Sequence, residues 1–151
     1  MYSKILVPVD GGAASARALH QAVELARRLE SRLVLLHVVD TYQLLLSKPS
    51  QDSFDEAREV LLEHAAALLD DCRLPAAQAG VSCEIVLREV MSSRVASAIL
   101  EEAYRRQCEL IVMGMQGRNG RTSLPLGSDA ERVLQSASVP VLLVREERAQ
   151  V

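Results

Sequence analysis

The chain has 151 residues, 17 basic and 20 acidic, for a formal net charge of −3. That length supplies one hydrophobic core and one domain, and a mildly acidic balance spread along the chain gives no electrostatic footprint for nucleic acid. No apolar run approaches the ~18 residues of a membrane-spanning helix and the start, Met1-Tyr2-Ser3-Lys4-Ile5, lacks the apolar core of a signal peptide, so a soluble cytoplasmic protein is expected.

Residues 4–9 (KILVPV) form an apolar run with little alternation, as in a strand covered on both faces, and the run stops at the turn Asp10-Gly11-Gly12. A helical period follows over residues 15–30, with Leu19, Ala22, Val23, Ala26 and Leu29 on one face. Residues 32–39 (RLVLLHVV) are a second buried strand. The stretch 41–53, with Lys48-Pro49, is expected to be a loop holding at most a turn of helix at 42–46. A long amphipathic helix is expected over 54–79, with Ala57, Leu61, Ala65, Leu68 and Cys72 on its stripe and a kink or early end at Pro75. A strand at 82–87, a helix at 93–107, a strand at 110–113, a helix at 128–136 and a strand at 140–145 complete the chain.

Five alternations of strand and helix imply a single-domain, doubly wound, parallel five-stranded sheet with helices on both faces, a Rossmann-like α/β fold. In such a sheet a ligand binds beyond the carboxyl ends of the strands where the winding reverses. With strand order 3-2-1-4-5, that point lies between Asp10 and Gly114. Three cysteines, Cys72, Cys83 and Cys108, form neither a CxxC nor a metal spacing, and they are read as small buried apolar residues in a reducing compartment. With one Phe and no Trp, the core must be aliphatic.

The strongest chemical signal is GMQGRNGRTSLPLGS, residues 114–128, set between a strand and a helix. Gly114 and Gly117 are separated by two residues, and nine more lead to Gly127-Ser128. Glycine accepts φ > 0 and lets backbone approach a ligand, the free N–H groups of a helix's first turn attract anions, and Ser128 can cap the helix or donate to a phosphate oxygen. The spacing is neither GxxxxGK[ST] nor GxGxxG. The alternative is a surface loop whose glycines only make turns.

The segments KILVPVDGG, LLHVVD, CELIVMG and VPVLLVR, with the glycine pattern G-x2-G-x9-G-[ST] complete at Gly114, Gly117, Gly127 and Ser128, resemble the nucleotide-binding subgroup of the universal stress proteins over essentially the whole chain. The resemblance implies ATP, ADP or AMP, with Mg2+ as an open companion. The base would lie near Asp10 and Val38, backbone around Pro8 and Met113 would border base and ribose, and the two ends of the glycine loop would hold ribose and phosphates. Asp10 could also serve as a cap for the first helix.

Four departures from the family pattern stand out: Gly12 where many members have Ser, Gln116 where His is common, Glu89-Val90 in place of a glycine after the third strand, and Asp129 where a small apolar residue is usual. Asp129 suits a helix N-terminus yet brings negative charge to the expected phosphates, which it would repel or, with a divalent cation, help hold. Arg118 and Arg121 are the nearest countercharges in sequence.

Three functions fit these residues. One is a nucleotide-dependent regulatory module read by a protein partner of unknown identity. Another is a slow ATPase or ATP pyrophosphatase relative, for which Gln116, Thr122 and Ser123 are thin material and the Ser-Gly-Gly-x-Asp-Ser loop is absent from Asp10-Gly11-Gly12-Ala13-Ala14-Ser15. The last is a structural dimer with an idle pocket. No catalytic residue is assigned, and His37, inside a buried strand, is read as a satisfied core histidine. The apolar final strand, residues 139–144, would lie at the sheet edge, where pairing of two copies would cover it. The resemblance points to the same edge.

Overall fold

The computed structural model describes residues 1–92, 94–116 and 126–146. Its elements are β1 (Lys4–Pro8), α1 (Ala13–Leu29), β2 (Arg32–Asp40), α2 (Tyr42–Ser47), α3 (Gln51–Gln78), β3 (Cys83–Val90), α4 (Val95–Arg105), β4 (Leu110–Gly114), α5 (Ser128–Ser136) and β5 (Val141–Val144). The strands form one parallel sheet in the expected order β3-β2-β1-β4-β5.

Alternation along the strands divides the core between two faces. Ile5, Val7, Leu33, Leu35 and Val112 meet the apolar sides of α1 and α3, whereas Leu6, Val34, Leu36, Ile111 and Met113 meet α4 and α5. Strands β1, β2 and β4 therefore bury consecutive residues, which explains their unbroken apolar runs in the sequence. Each such Leu or Ile stabilises the fold by about 1.5–3 kcal/mol relative to an exposed one.

Element boundaries differ from expectation where capping and register override periodicity. Helix α1 begins at Ala13 because Gly12, extended at φ −82° and ψ 168°, occupies the cap position. The turn of helix read at residues 42–46 forms as the short helix α2, whereas α3 starts at Gln51, ahead of the expected residue 54, because the Ser50 hydroxyl accepts the Ser53 N–H at 3.2 Å. Pro75 does not end α3, which runs three residues further; the last turn is held by Ala76, fully buried against the core. Strand β3 reaches Val90 through pairs Val38↔Arg88, Val39↔Glu89 and Asp40↔Val90. Glu89 has its own task there, since Arg58 of α3 donates to both of its carboxylate oxygens at 2.6 and 2.7 Å. Those bonds hold its carboxyl below the usual range.

On the α4 side the buried carboxylate of Glu102 accepts from Arg106 at 2.8 Å, Arg88 at 3.3 Å and Arg105 at 3.5 Å. Arg88 also reaches Glu101 and Arg106 reaches Glu84, so α4 is joined to β3 by a continuous ionic network. At the other edge β5 spans only four residues, and Leu142 is 43% exposed.

Candidate functional site

Strands β1 and β4 lie side by side, Ile5 opposite Leu110, but the chain leaves β1 for α1 on one face and reaches α5 on the other after β4. Their ends diverge and leave a crevice of about 620 Å3, open mouth included. Pro8, Val9 and Asp10 come from the end of β1, Leu36 and Val38 from β2, and Met113, Gly114, Met115 and Gln116 from β4. Val95 and Ile99 of α4 close one wall, Ser15 of α1 reaches in, and Gly127, Ser128, Asp129 and Ala130 supply the start of α5.

The β1–α1 turn is fixed by its own hydrogen bonds. An Asp10 carboxylate oxygen, Oδ1, accepts the Gly12 N–H at 2.8 Å, and the Asp10 N–H donates to the Ser15 hydroxyl at 3.1 Å. Asp10 thus stabilises the turn ahead of α1 and is not the helix cap, a position that Gly12 holds. Gly11, at φ +85°, is where the turn requires glycine.

Gly114 has a packing role that the sequence reading did not give it. A Cβ there would lie 2.8 Å from the carbonyl carbon and Cβ of Ala14 and 2.9 Å from the Ser15 nitrogen, so its missing side chain lets α1 sit directly on β4. Gly127 also departs from expectation: at φ −67° and ψ 155° it is extended backbone open to any residue, and it, not Ser128, is the cap of α5. Ser128 is the first helical residue, exposed at the crevice rim. The Gly127 N–H donates to the Met115 carbonyl at 2.6 Å and closes the base of the glycine loop. Gly117, Arg118, Arg121, Thr122 and Ser123 lie outside the described residues.

Two carboxylates, Asp10 and Asp129, line the crevice. Burial raises the Asp129 carboxyl above the ordinary aspartate value; Arg132, one turn along α5, opposes the rise and Asp10 adds to it. No lysine or arginine is among the described lining residues, and the described residues contain no cluster of three or more His, Cys, Asp or Glu able to hold a metal.

Pro8, Asp10, Val38, Met113, Gly114, Gly127, Ser128 and Asp129 are thus brought to one cavity from positions up to 121 apart in the sequence (129 − 8). Leu36, Ser15, Val95 and Ile99 are lining residues that sequence reasoning missed. Leu36 is two residues before Val38 on the same strand face, and Val95 and Ile99 share a helix face at i, i+4, so strand and helix periodicity carried a signal for both walls. His37 does not reach the crevice lining; its Nδ1 donates to the Val9 carbonyl at 2.6 Å, which fixes the Nδ1–H tautomer and ties β2 to the end of β1.

Fold and crevice together define a class: a doubly wound α/β domain with a concave site at its switch point. Residues 1–145 match the universal stress protein family, and the chain belongs to that family. It is 33% identical over 151 residues to a universal stress protein of Bacillus subtilis, covering 96% of this chain and all of the relative. The crystal structure of a universal stress protein family member from Burkholderia pseudomallei superposes with a TM-score of 0.75 at 33% identity, covering 95% of this chain and 96% of the other. Two more distant structures share the fold: a universal stress protein in complex with cAMP, with TM-score 0.67, 23% identity and coverage of 97% and 98%, and an Arabidopsis thaliana family member with AMP bound, with TM-score 0.70, 19% identity and coverage of 96% and 92%. Among the described residues no helix is long and apolar enough to cross a membrane.

Proposed function

We propose that this universal stress protein is a regulatory module that binds an adenine nucleotide in the crevice between β1 and β4. The observation that carries the reading is the convergence of apolar groups from Pro8, Val38, Ile99 and Met113 with the carboxylate of Asp10 in one crevice. A flat purine buries its faces against such walls, and Asp10 retains acceptor capacity beyond the Gly12 bond for a ribose hydroxyl or an exocyclic amine. Backbone at Gly114, Gly127 and Ser128 borders the ribose and phosphate end. The glycine pattern in the sequence and the cAMP and AMP held by distant members of the fold support the same ligand class. Nucleotide occupancy would favour one state of the protein for a partner protein to read.

Calorimetry with ATP, ADP, AMP and GTP, with and without Mg2+, tests the reading. Adenine nucleotides should bind and GTP should bind at least tenfold more weakly. Failure of every adenine nucleotide to bind below millimolar concentration overturns it. Gly127→Val should weaken binding at least tenfold by filling the crevice mouth, with circular dichroism unchanged, since valine fits the Gly127 backbone angles.

The same protein is proposed to work as a homodimer paired through residues 139–144. The short β5 edge with an exposed Leu142 supports this, because an unpaired apolar edge invites association. Wild-type protein should sediment as a dimer at micromolar concentration and Leu142→Lys as monomer; a monomeric wild type overturns the arrangement.

A further inference from the structure

Phosphate groups of a nucleotide in this crevice would meet the first turn of α5, where Ser128 and Asp129 follow Gly127. A helix start of this kind ordinarily presents about half a positive charge and several free N–H groups to an anion. Here the chain supplies its own anion. Asp129 and Glu131 both lie in the first turn, and Gly127, which caps the helix, has no side chain to engage those N–H groups. The Asp129 carboxylate offsets the helix dipole at the point where it faces the cavity. In the reading above Asp10 serves the base and ribose end of the same crevice, and the described lining has no lysine or arginine to offset the Asp129 charge.

Resting on the nucleotide reading above, we infer that Asp129 is a specificity-determining residue that sets the crevice for adenine nucleotides of low phosphate charge, AMP or a cyclic monophosphate, and against ATP. A monophosphate ester carries about −1.5 to −2 at neutral pH, and each further phosphate adds charge that must be placed beside Asp129. Repulsion grows with that charge while the purine and ribose contacts stay the same, so the penalty falls on ATP far more than on AMP. Arg132, three residues along the same helix, opposes the rise in the proton affinity of Asp129, but burial outweighs it. Burial of the carboxyl, which raises its proton affinity, marks the same conflict between this charge and its surroundings.

The test is a set of titrations with adenosine, AMP, cAMP and ATP in EDTA at fixed ionic strength and neutral pH, on the wild type, Asp129→Asn and Asp10→Asn. Wild type should bind AMP at least tenfold more tightly than ATP. Asp129→Asn, nearly isosteric, should tighten ATP about tenfold more than AMP and leave adenosine unchanged. Asp10→Asn should change AMP and ATP by a common factor, since it acts at the base and ribose end. A wild type that prefers ATP without metal overturns the inference, as does an Asp129→Asn variant that shifts AMP and ATP equally. Weakening of ATP by Asp129→Asn only when Mg2+ is added also overturns it, because Asp129 would then hold a cation. If adenosine, AMP, cAMP and ATP all fail to bind wild type, the nucleotide reading itself falls. Adenosine and AMP binding without the expected ratio removes only the specificity.

Discussion

Glu102 on α4 and Asp129 on α5 are carboxylates on neighbouring helices that meet opposite treatment. The side chain of Glu102 is 4% exposed and touches three arginines, so its charge is compensated and the group ties α4 to β3. Asp129 is half-buried beside a second carboxylate, and no hydrogen bond or ion pair to it is found among the described residues. A buried charge kept for structure is normally surrounded by partners. A carboxylate that stands in a cleft with its proton affinity perturbed has the pattern expected of a functional-site candidate.

The largest effect should come from the crevice floor, which both regions depend on through the sheet. Gly114→Val places a branched side chain where even a Cβ meets Ala14 at 2.8 Å, forcing α1 off β4. Destabilisation of about 3 kcal/mol, a fall in Tm of about 6–12 °C, should accompany loss of the crevice; a variant as stable as wild type would show that α1 moves freely at this point. Glu102→Ala comes next. Its loss leaves Arg88, Arg105 and Arg106 without their shared acceptor, but those side chains are 25%, 68% and 31% exposed and water screens them. The expected cost is therefore about 2 kcal/mol, below the about 3–5 kcal/mol of a fully buried pair. Thermal unfolding should show it while nucleotide affinity is retained; a large loss of affinity would mean the flank and the crevice are one unit.

Asp129→Asn should have the smallest effect on stability and the opposite sign. Because the folded protein raises the Asp129 carboxyl above its unfolded value, the native state binds more protons between the two values, and wild-type stability falls as pH rises through that window. Above the window the cost is constant. Asn removes it, so the variant should melt about 1–2 °C higher at neutral pH, a figure kept small by solvent screening. The gain should vanish well below pH ~4, where an ordinary aspartate is protonated in both states. A variant that is less stable at neutral pH would show that Asp129 serves α5 as a favourable first-turn charge more than the crevice penalises it.

Much of this was legible in one dimension. Unbroken apolar runs separated by helical period dictate a parallel sheet covered on both faces, because a strand buried on both sides cannot alternate and its neighbour must be reached by a crossover helix. The turn at Asp10 and the strand end at Gly114 could be placed opposite each other from the order of winding alone, since the switch point follows from strand order. The unusual charge at Asp129 was visible too, as a residue out of keeping with its neighbours.

Other features depended on distances between segments remote in sequence. That Gly114 lacks a side chain for the sake of Ala14 is a steric fact between β4 and α1, which no local pattern encodes. Gly127 in extended backbone, and its role as cap in place of Ser128, follow from how the loop base closes on Met115. The reach of β3 to Val90 was decided by its register with β2 and by Arg58 meeting Glu89 across 31 positions of sequence. Periodicity reports which face of an element is apolar; only the assembled sheet decides which atoms come within 3 Å of each other, and on that scale the division between Glu102's compensated charge and Asp129's half-buried one is made.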